Sequence, residues 1–336
     1  MANNTSGGSF IENLPKIYGM YTGGFLVFVL LKAILEQMGV GADTIGILFV
    51  AFTIVIYAGI GFLSRTMAVD AYYVAGRQVP AVFNGMATAA DWMSGASFVA
   101  MAGGIYFGGH GYLAFVVGWT GGYILVASLM APYLRKFGCY TVPDFIGTRY
   151  GGNLPRFLGV VVLAVASFTY VTAQINATGT IAARALQIPF EVGVWFGLLG
   201  ILLCSMLGGM RAVTWTQVAQ YIVLIIAYLV PVFWMSNKQG FGLIPQFVYG
   251  DAVARITELE ALHGLGTLDP VAGAKGGLKA LSVPFAAAGD SLMASWKFVT
   301  LVACMMLGTA SLPHILMRYF TTPSVRAARQ SVAWSL

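Results

Sequence analysis

The stretch NGMATAADWMSGASF, residues 84–98, places one carboxylate, Asp91, inside a hydrophobic span that has no other charge from Pro80 to Phe107. As a single straight helix, residues 80–107 would extend roughly 42 Å at 1.5 Å per residue. That exceeds a hydrocarbon core about 30 Å thick, so there is length to spare for a break. Gly85, Thr88, Asp91, Ser94, Gly95 and Ser97 interrupt the apolar run with small, polar, helix-weakening residues. A charge at the bilayer centre costs on the order of 3 kcal/mol on the gentler insertion scales, which makes an intramembrane carboxylate a functional candidate. Asp91 is expected either to face a site or to cap the second half of a broken helix by accepting from a freed N–H.

The surrounding composition supports a membrane setting. The chain has 336 residues, 58% hydrophobic and 9% charged, with a mean hydropathy of +0.80; a soluble domain carries roughly 25% charged residues. The pattern predicts an all-α polytopic protein of about eight transmembrane helices, near 17–37, 44–63, 80–107, 112–134, 157–184, 190–210, 213–236 and 296–317. Lys16 is the one cation before the first apolar run and no small-residue cleavage pattern follows, so that run is expected to be a retained helix.

The net charge of +6 invites a nucleic-acid reading, but the basic residues sort by loop. Lys16, Arg65, Arg77, Arg135, Lys136, Arg149, Arg156, Arg211, Arg318, Arg326 and Arg329 fall on one side of the alternating spans. Short-loop bias puts that side and the N-terminus in the cytoplasm, in the cell or inner membrane. The long segment 237–295 then lies outside; a surface helix near 254–266 and a connector are expected there, with a lid as the functional alternative. Gly118 and Gly122 have the small-xxx-small spacing that lets helix backbones approach in lipid. GAKGGLK (273–279) lacks the Walker spacing.

A helix broken in the membrane frees carbonyls that are tolerated only beside a cavity, an ion or a polar substrate. Such breaks near the midplane are where transporters hold a coupling cation and an anionic substrate. Oxygen donors without imidazole or thiolate suit an alkali cation better than a transition metal. LGTASLPHILMRYF (307–320) supplies a second interruption through Gly308, Thr309, Ser311 and Pro313. Cys139, Cys204 and Cys304 are scattered singly, so neither a disulfide framework nor a structural metal is implied. No cofactor is expected, and no residue set is placed for hydrolytic or acid–base catalysis, so the chain is not expected to be an enzyme.

VAGRQVP (74–80), ATAADWMSGASF (87–98), TVPDFIGTRYG (141–151), LGGMRAVTWTQVAQ (207–220) and GTASLPHILMRYF (308–320), in that order, resemble successive landmarks of the sodium/solute symporter family. The likeness is nearest to its acetate and short-monocarboxylate branch and runs from about residue 70 to 330. It implies an inverted five-plus-five helix repeat whose first helices are broken, with Na+ as coupling ion and a small organic anion as substrate.

The domains implied are 1–63 (N-terminus and two peripheral helices), 64–236 (first repeat), 237–295 (outer loop) and 296–336 (first helix of the second repeat). Since the family's remaining sodium ligands lie further on, the chain is expected to be partial. The resemblance assigns the Ala90 and Met93 carbonyls to the cation and Ser94 to a place beside both cation and substrate. It assigns Ser97, Met305, Thr309 and Tyr170 to the substrate, whose carboxylate a half-helix dipole would hold. From the two interruptions themselves, Asp91 is added to the cation site and Ser311 to the substrate site. Many members carry Asp where this chain has Gln217, and the acidic role is expected to have moved to Asp91. Competing expectations are a transporter-like sensor module and proton coupling through Asp91. His314 is expected to be a satisfied helix-end histidine, His110 to lie in an outer turn, and Asp144 with Arg149 to anchor an inner loop.

Overall fold

The computed structural model describes residues 10–262 and 292–336. Among these, every regular element is helical. In chain order they are α1 (Leu14–Gln37), α2 (Ala42–Leu63), α3 (Val69–Val74), α4 (Ala81–Trp92), α5 (Ala102–Gly108), α6 (Leu113–Leu125), α7 (Ala131–Phe137), α8 (Val142–Tyr150), α9 (Asn153–Leu186), α10 (Phe190–Lys238), α11 (Tyr249–Leu262), α12 (Leu292–Ala310), α13 (Pro313–Met317) and α14 (Val325–Ser335). Most of the long segment's expected features, GAKGGLK included, lie outside the described residues; α11 covers the expected surface helix up to Leu262.

Five helices among the described residues are long and apolar enough to cross a membrane, and a sixth span arises if the bent pair Trp296–Ala310 and Pro313–Thr321 counts as one. This is the all-helical, polytopic architecture expected. The two remaining expected spans differ for local reasons. Residues 80–107 do not form one rod, because α4 stops at Trp92 and a wide π-type turn, Ala96–Met101, precedes α5. Residues 190–210 and 213–236 run together as α10, interrupted at Gly209, where φ is +52° and ψ −140°. A Cβ at Gly209 would stand 2.4 Å from the Tyr72 carbonyl oxygen, so only glycine suits that conformation and that approach.

Exposed apolar side chains cover the outside of the bundle, including Leu30, Val55, Val162, Phe168 and Trp234. That is the inverse of a soluble surface and is what a hydrocarbon solvent permits. Inside, two cores form. One gathers Val74, Tyr123, Val126, Leu134, Ile315, Tyr319, Phe320 and Val332; the other gathers Leu14, Tyr18, Val79, Ala87, Trp215 and Val218. Tyr18 donates its hydroxyl to the Trp215 carbonyl at 2.8 Å, tying α1 to α10.

The seam between α6 and α12 has the close approach that Gly118 and Gly122 anticipate. A Cβ at Gly118 would lie 2.5 Å from the Met305 Cβ and 2.8 Å from the Val302 carbonyl oxygen. At Gly122 it would lie 2.5 Å from the Thr309 Cβ. Backbone, not only side chain, blocks a larger residue, and overpacking of this kind costs about 1–3 kcal/mol. Gly118→Val and Gly122→Val are expected to lower the thermal unfolding midpoint in detergent markedly. Gly23→Ala, where a Cβ meets nothing within 4 Å, is expected to leave it unchanged.

Candidate functional site

Pro80 starts α4 from an extended conformation, and a run of small residues, Gly85, Ala87, Thr88, Ala89 and Ala90, lets the second half of the helix be buried nearly all round. The helix then opens. Met93 has ψ +62°, and the Ser94 N–H donates to the Trp92 carbonyl at 2.8 Å in place of the i−4 bond to Ala90 that a helix would make. Ser97 Oγ lies 2.8 Å from the Trp92 carbonyl oxygen and 3.0 Å from that of Ser94, and it also meets the Tyr228 hydroxyl at 3.3 Å. The hydroxyl thus steadies the turn from its far side.

The second interruption is built differently. Leu312 is extended (φ −65°, ψ 119°), Pro313 starts α13, and the two halves bend by 44°. The Ser311 hydroxyl donates back to the Leu307 and Gly308 carbonyls, at 3.0 and 2.9 Å.

Both breaks border a cavity of about 960 Å³. Ala90, Asp91, Met93 and Ser94 reach it from the first break, Tyr170 from α9, Gln217 from α10, and His314 and Arg318 from beyond the second break. The Tyr170 side chain lies beside Ser94 on the cavity wall, and the Tyr170 ring stacks on His314 with centroids 4.3 Å apart and planes 29° apart. Asp91 and Arg318 form a fork. Arg318 Nε donates to Asp91 Oδ2 at 2.7 Å and Nη2 to Oδ1 at 3.0 Å. Their side chains are 8% and 3% exposed, so the pair is shut away from solvent. Gln217 donates its amide to Asp91 Oδ1 as well.

Five of the expected site residues, Ala90, Asp91, Met93, Ser94 and Tyr170, therefore meet at one cavity. Ser97 lies behind the turn, and the Ser311 hydroxyl folds onto its own helix. Met305 and Thr309 face the Gly118–Gly122 seam; one helix turn apart, they share the face of α12 that packs on α6. Two expectations need correcting. Asp91 sits in the last turn of α4, not at a helix start, so it caps no second half. Arg318, sorted by charge with the inner loops, is buried to 2% exposure. A signal for it existed: Arg318 is a lone cation between Ile315 and Phe320, the counterpart of a lone anion in the third span.

Arg318 is followed by a buried polar clamp. Thr321 donates to Asn84 Oδ1 at 2.9 Å, and Asn84 Nδ2 donates to Ser331 Oγ at 3.1 Å, all three residues being inaccessible to solvent. This bolts α14 against the first half of the broken span, where a Cβ at Gly85 would stand 2.5 Å from the Trp334 Cβ. Arg135 donates to the Thr322 and Pro323 carbonyls. At the expected inner loop, Thr141 caps α8 by accepting from the Asp144 N–H, and Asp144 faces Arg156 at 3.6 Å, while Arg149 lies in the last turn of α8.

Residues 72–336 match the Sodium:solute symporter family. A curated relative, an uncharacterized symporter of Cupriavidus necator, is 40% identical over 411 residues, a match that covers 97% of this chain and 60% of the relative. The chain thus spans about 60% of the length of the curated relative it matches.

Replacing Asn84 by Ala removes the two buried side-chain hydrogen bonds to Thr321 and Ser331, whose hydroxyls keep only their own helix carbonyls, at about 0.5–1.5 kcal/mol for each bond. Asn84→Ala is expected to lower the unfolding midpoint and to speed tryptic cleavage after Arg326 and Arg329, which are exposed on α14.

Proposed function

We propose a sodium-coupled symport of a short monocarboxylate from one premise: the chain belongs to the sodium:solute symporter family. The observation that carries the cation side is the opened turn at Met93–Ser94, where Ser94 N–H turns away from the Ala90 carbonyl beside the cavity. The Ala90 and Met93 carbonyls and the Ser94 hydroxyl form an oxygen-only donor set, which suits a hard alkali cation. Asp91, expected at the cation as the lone carboxylate of its span, acts here through Arg318, because Arg318 and Gln217 engage both of its oxygens.

On the substrate side, Tyr170 and His314 offer donors to a carboxylate, and the stacked rings offer an apolar wall to a short alkyl group. Tyr170 touches both Ser94 and His314. A sodium ion at the turn and a substrate at the rings would therefore share one side chain. Each ligand then raises the other's affinity by the same factor. Ser97 supports the turn, while Met305, Thr309 and Ser311 serve the packing and shape of the second broken span.

The proposal places the protein in the cell membrane, multi-pass, with α4 entering from the cytoplasmic side as the basic loops direct. A proton-coupled alternative through Asp91 has less to support it, since that carboxylate is committed to Arg318.

Reconstituted in liposomes as the full-length chain, the protein is expected to accumulate labelled acetate or propionate when Na+ is higher outside. Accumulation should stop when choline replaces Na+. Uptake indifferent to the sodium gradient would reject the proposal. Ser94→Ala removes one oxygen donor and is expected to raise the Na+ concentration for half-maximal uptake by about tenfold, as loss of roughly 1.4 kcal/mol of cation affinity requires, with the maximal rate much less affected.

A further inference from the structure

We propose that Arg318 is a positioning residue that couples the two broken spans. Through its fork to Asp91 it makes the first break unable to rearrange independently of the second. This rests on the transport reading above only for what the coupling serves.

The two charges are separated by 227 residues in sequence. One stands at the first break and the other one short helix beyond the second. Asp91 is the last residue but one of α4, directly before the turn at Met93–Ser94, and Arg318 is the C-cap of α13, the short helix directly after the second interruption. The local helices account for only one of these placements. A cation at a helix C-terminus is favourable, whereas a carboxylate in the last turn of α4 faces the negative end of the helix dipole. Asp91 is stable there because Arg318 is opposite it.

The geometry is specific. A guanidinium meeting a carboxylate through two parallel N–H···O bonds fixes both separation and orientation, which a single contact to an ammonium would not. Helix α10 then supplies both halves of a seat one turn apart. Thr214, inaccessible to solvent, gives its own proton to the Met210 carbonyl at 2.7 Å and so presents a lone pair to Arg318 Nη1 at 3.0 Å. Three residues on, Gln217 turns its amide donor to Asp91. The cation and the anion are each recognised by the side chain of matching polarity on the same helix.

A pair buried this fully has two tolerable conditions. Either it stays formed, or both charges reach water together, because separating them inside the protein leaves each uncompensated. Both residues line the cavity, so the second condition requires the cavity to open beside them. The fork is thus a two-state element joined to both breaks, which is what coupling between sites requires.

The test exchanges the amide and the carboxylate without changing shape. In the full-length, cysteine-free chain carrying Thr178→Cys as a cavity reporter, labelling by a membrane-impermeant maleimide is measured from each face of the membrane, with and without Na+. Wild-type pairing is expected to restrict labelling to one face and to let Na+ change its rate. Asp91→Asn is expected to erase the sodium response and to change the labelling rate at least tenfold, and Arg318→Lys to do the same. The double variant Asp91→Asn with Gln217→Glu, which keeps one carboxylate beside position 91 and so near the guanidinium, is expected to restore the wild-type pattern at an unchanged unfolding midpoint.

Wild-type labelling and sodium response in Asp91→Asn would overturn the proposal. So would a folded double variant that behaves like Asp91→Asn. If either single variant fails to fold, the double variant decides alone. Absence of sodium-driven monocarboxylate uptake in the wild type would count against the proposed function, while the labelling of the variants without Na+ still decides the role of Arg318.

Discussion

One carboxylate and one guanidinium, buried against each other, hold the centre of this protein in register. Neither charge is tolerable there alone, since the neutral dipoles of Thr214 and Gln217 replace only part of what an opposite full charge supplies in low dielectric. Their pairing draws together segments more than two hundred residues apart, the first half of the third span and the short helix after the second interruption, and seats both on the middle of α10. The cavity lies where these meet, the first span opening directly after Asp91 and the second bending one short helix before Arg318.

Two kinds of close contact make that meeting possible. On the α6–α12 side, glycines remove side-chain bulk so that backbones touch, which in lipid is a principal source of helix association. On the α14 side, a polar clamp through Asn84, Thr321 and Ser331 fixes α14 to α4. The seam therefore holds the first half of the second broken span and the clamp holds the first half of the first, while the turn beyond Trp92 lies beside Tyr170 of α9. A rigid half, a soft turn and a cavity in sequence suit a binding site that has to change shape without the scaffold loosening.

Much of this was legible in the residues. A span too long for the bilayer, with Gly, Ser and Asp at its middle, announces a break, and Gly308 to Pro313 announces another. The spacing of Gly118 and Gly122 announces a close seam. What escaped has physical reasons. Charge sorting treats a cation at the end of an apolar run as a loop residue, so Arg318 was read as inner-surface charge; only its opposition to a lone anion in another span hints at burial. Periodicity shows that Met305 and Thr309 share a face but not which neighbour that face meets, and the glycine seam claims it. The Gly209 interruption was anticipated as a boundary a few residues later, because the positive φ of one glycine leaves no compositional trace beyond the glycine itself.

The account stands on the backbone coming open at Met93–Ser94 so that main-chain oxygen can face a cation. An experimental structure of the full-length chain determined in sodium would address that directly. The account predicts a non-helical turn at these residues with a bound ion contacted by the Ala90 and Met93 carbonyls. A continuous α-helix through residues 90–97, each carbonyl bonded to the N–H four residues on and no ion beside it, would contradict it.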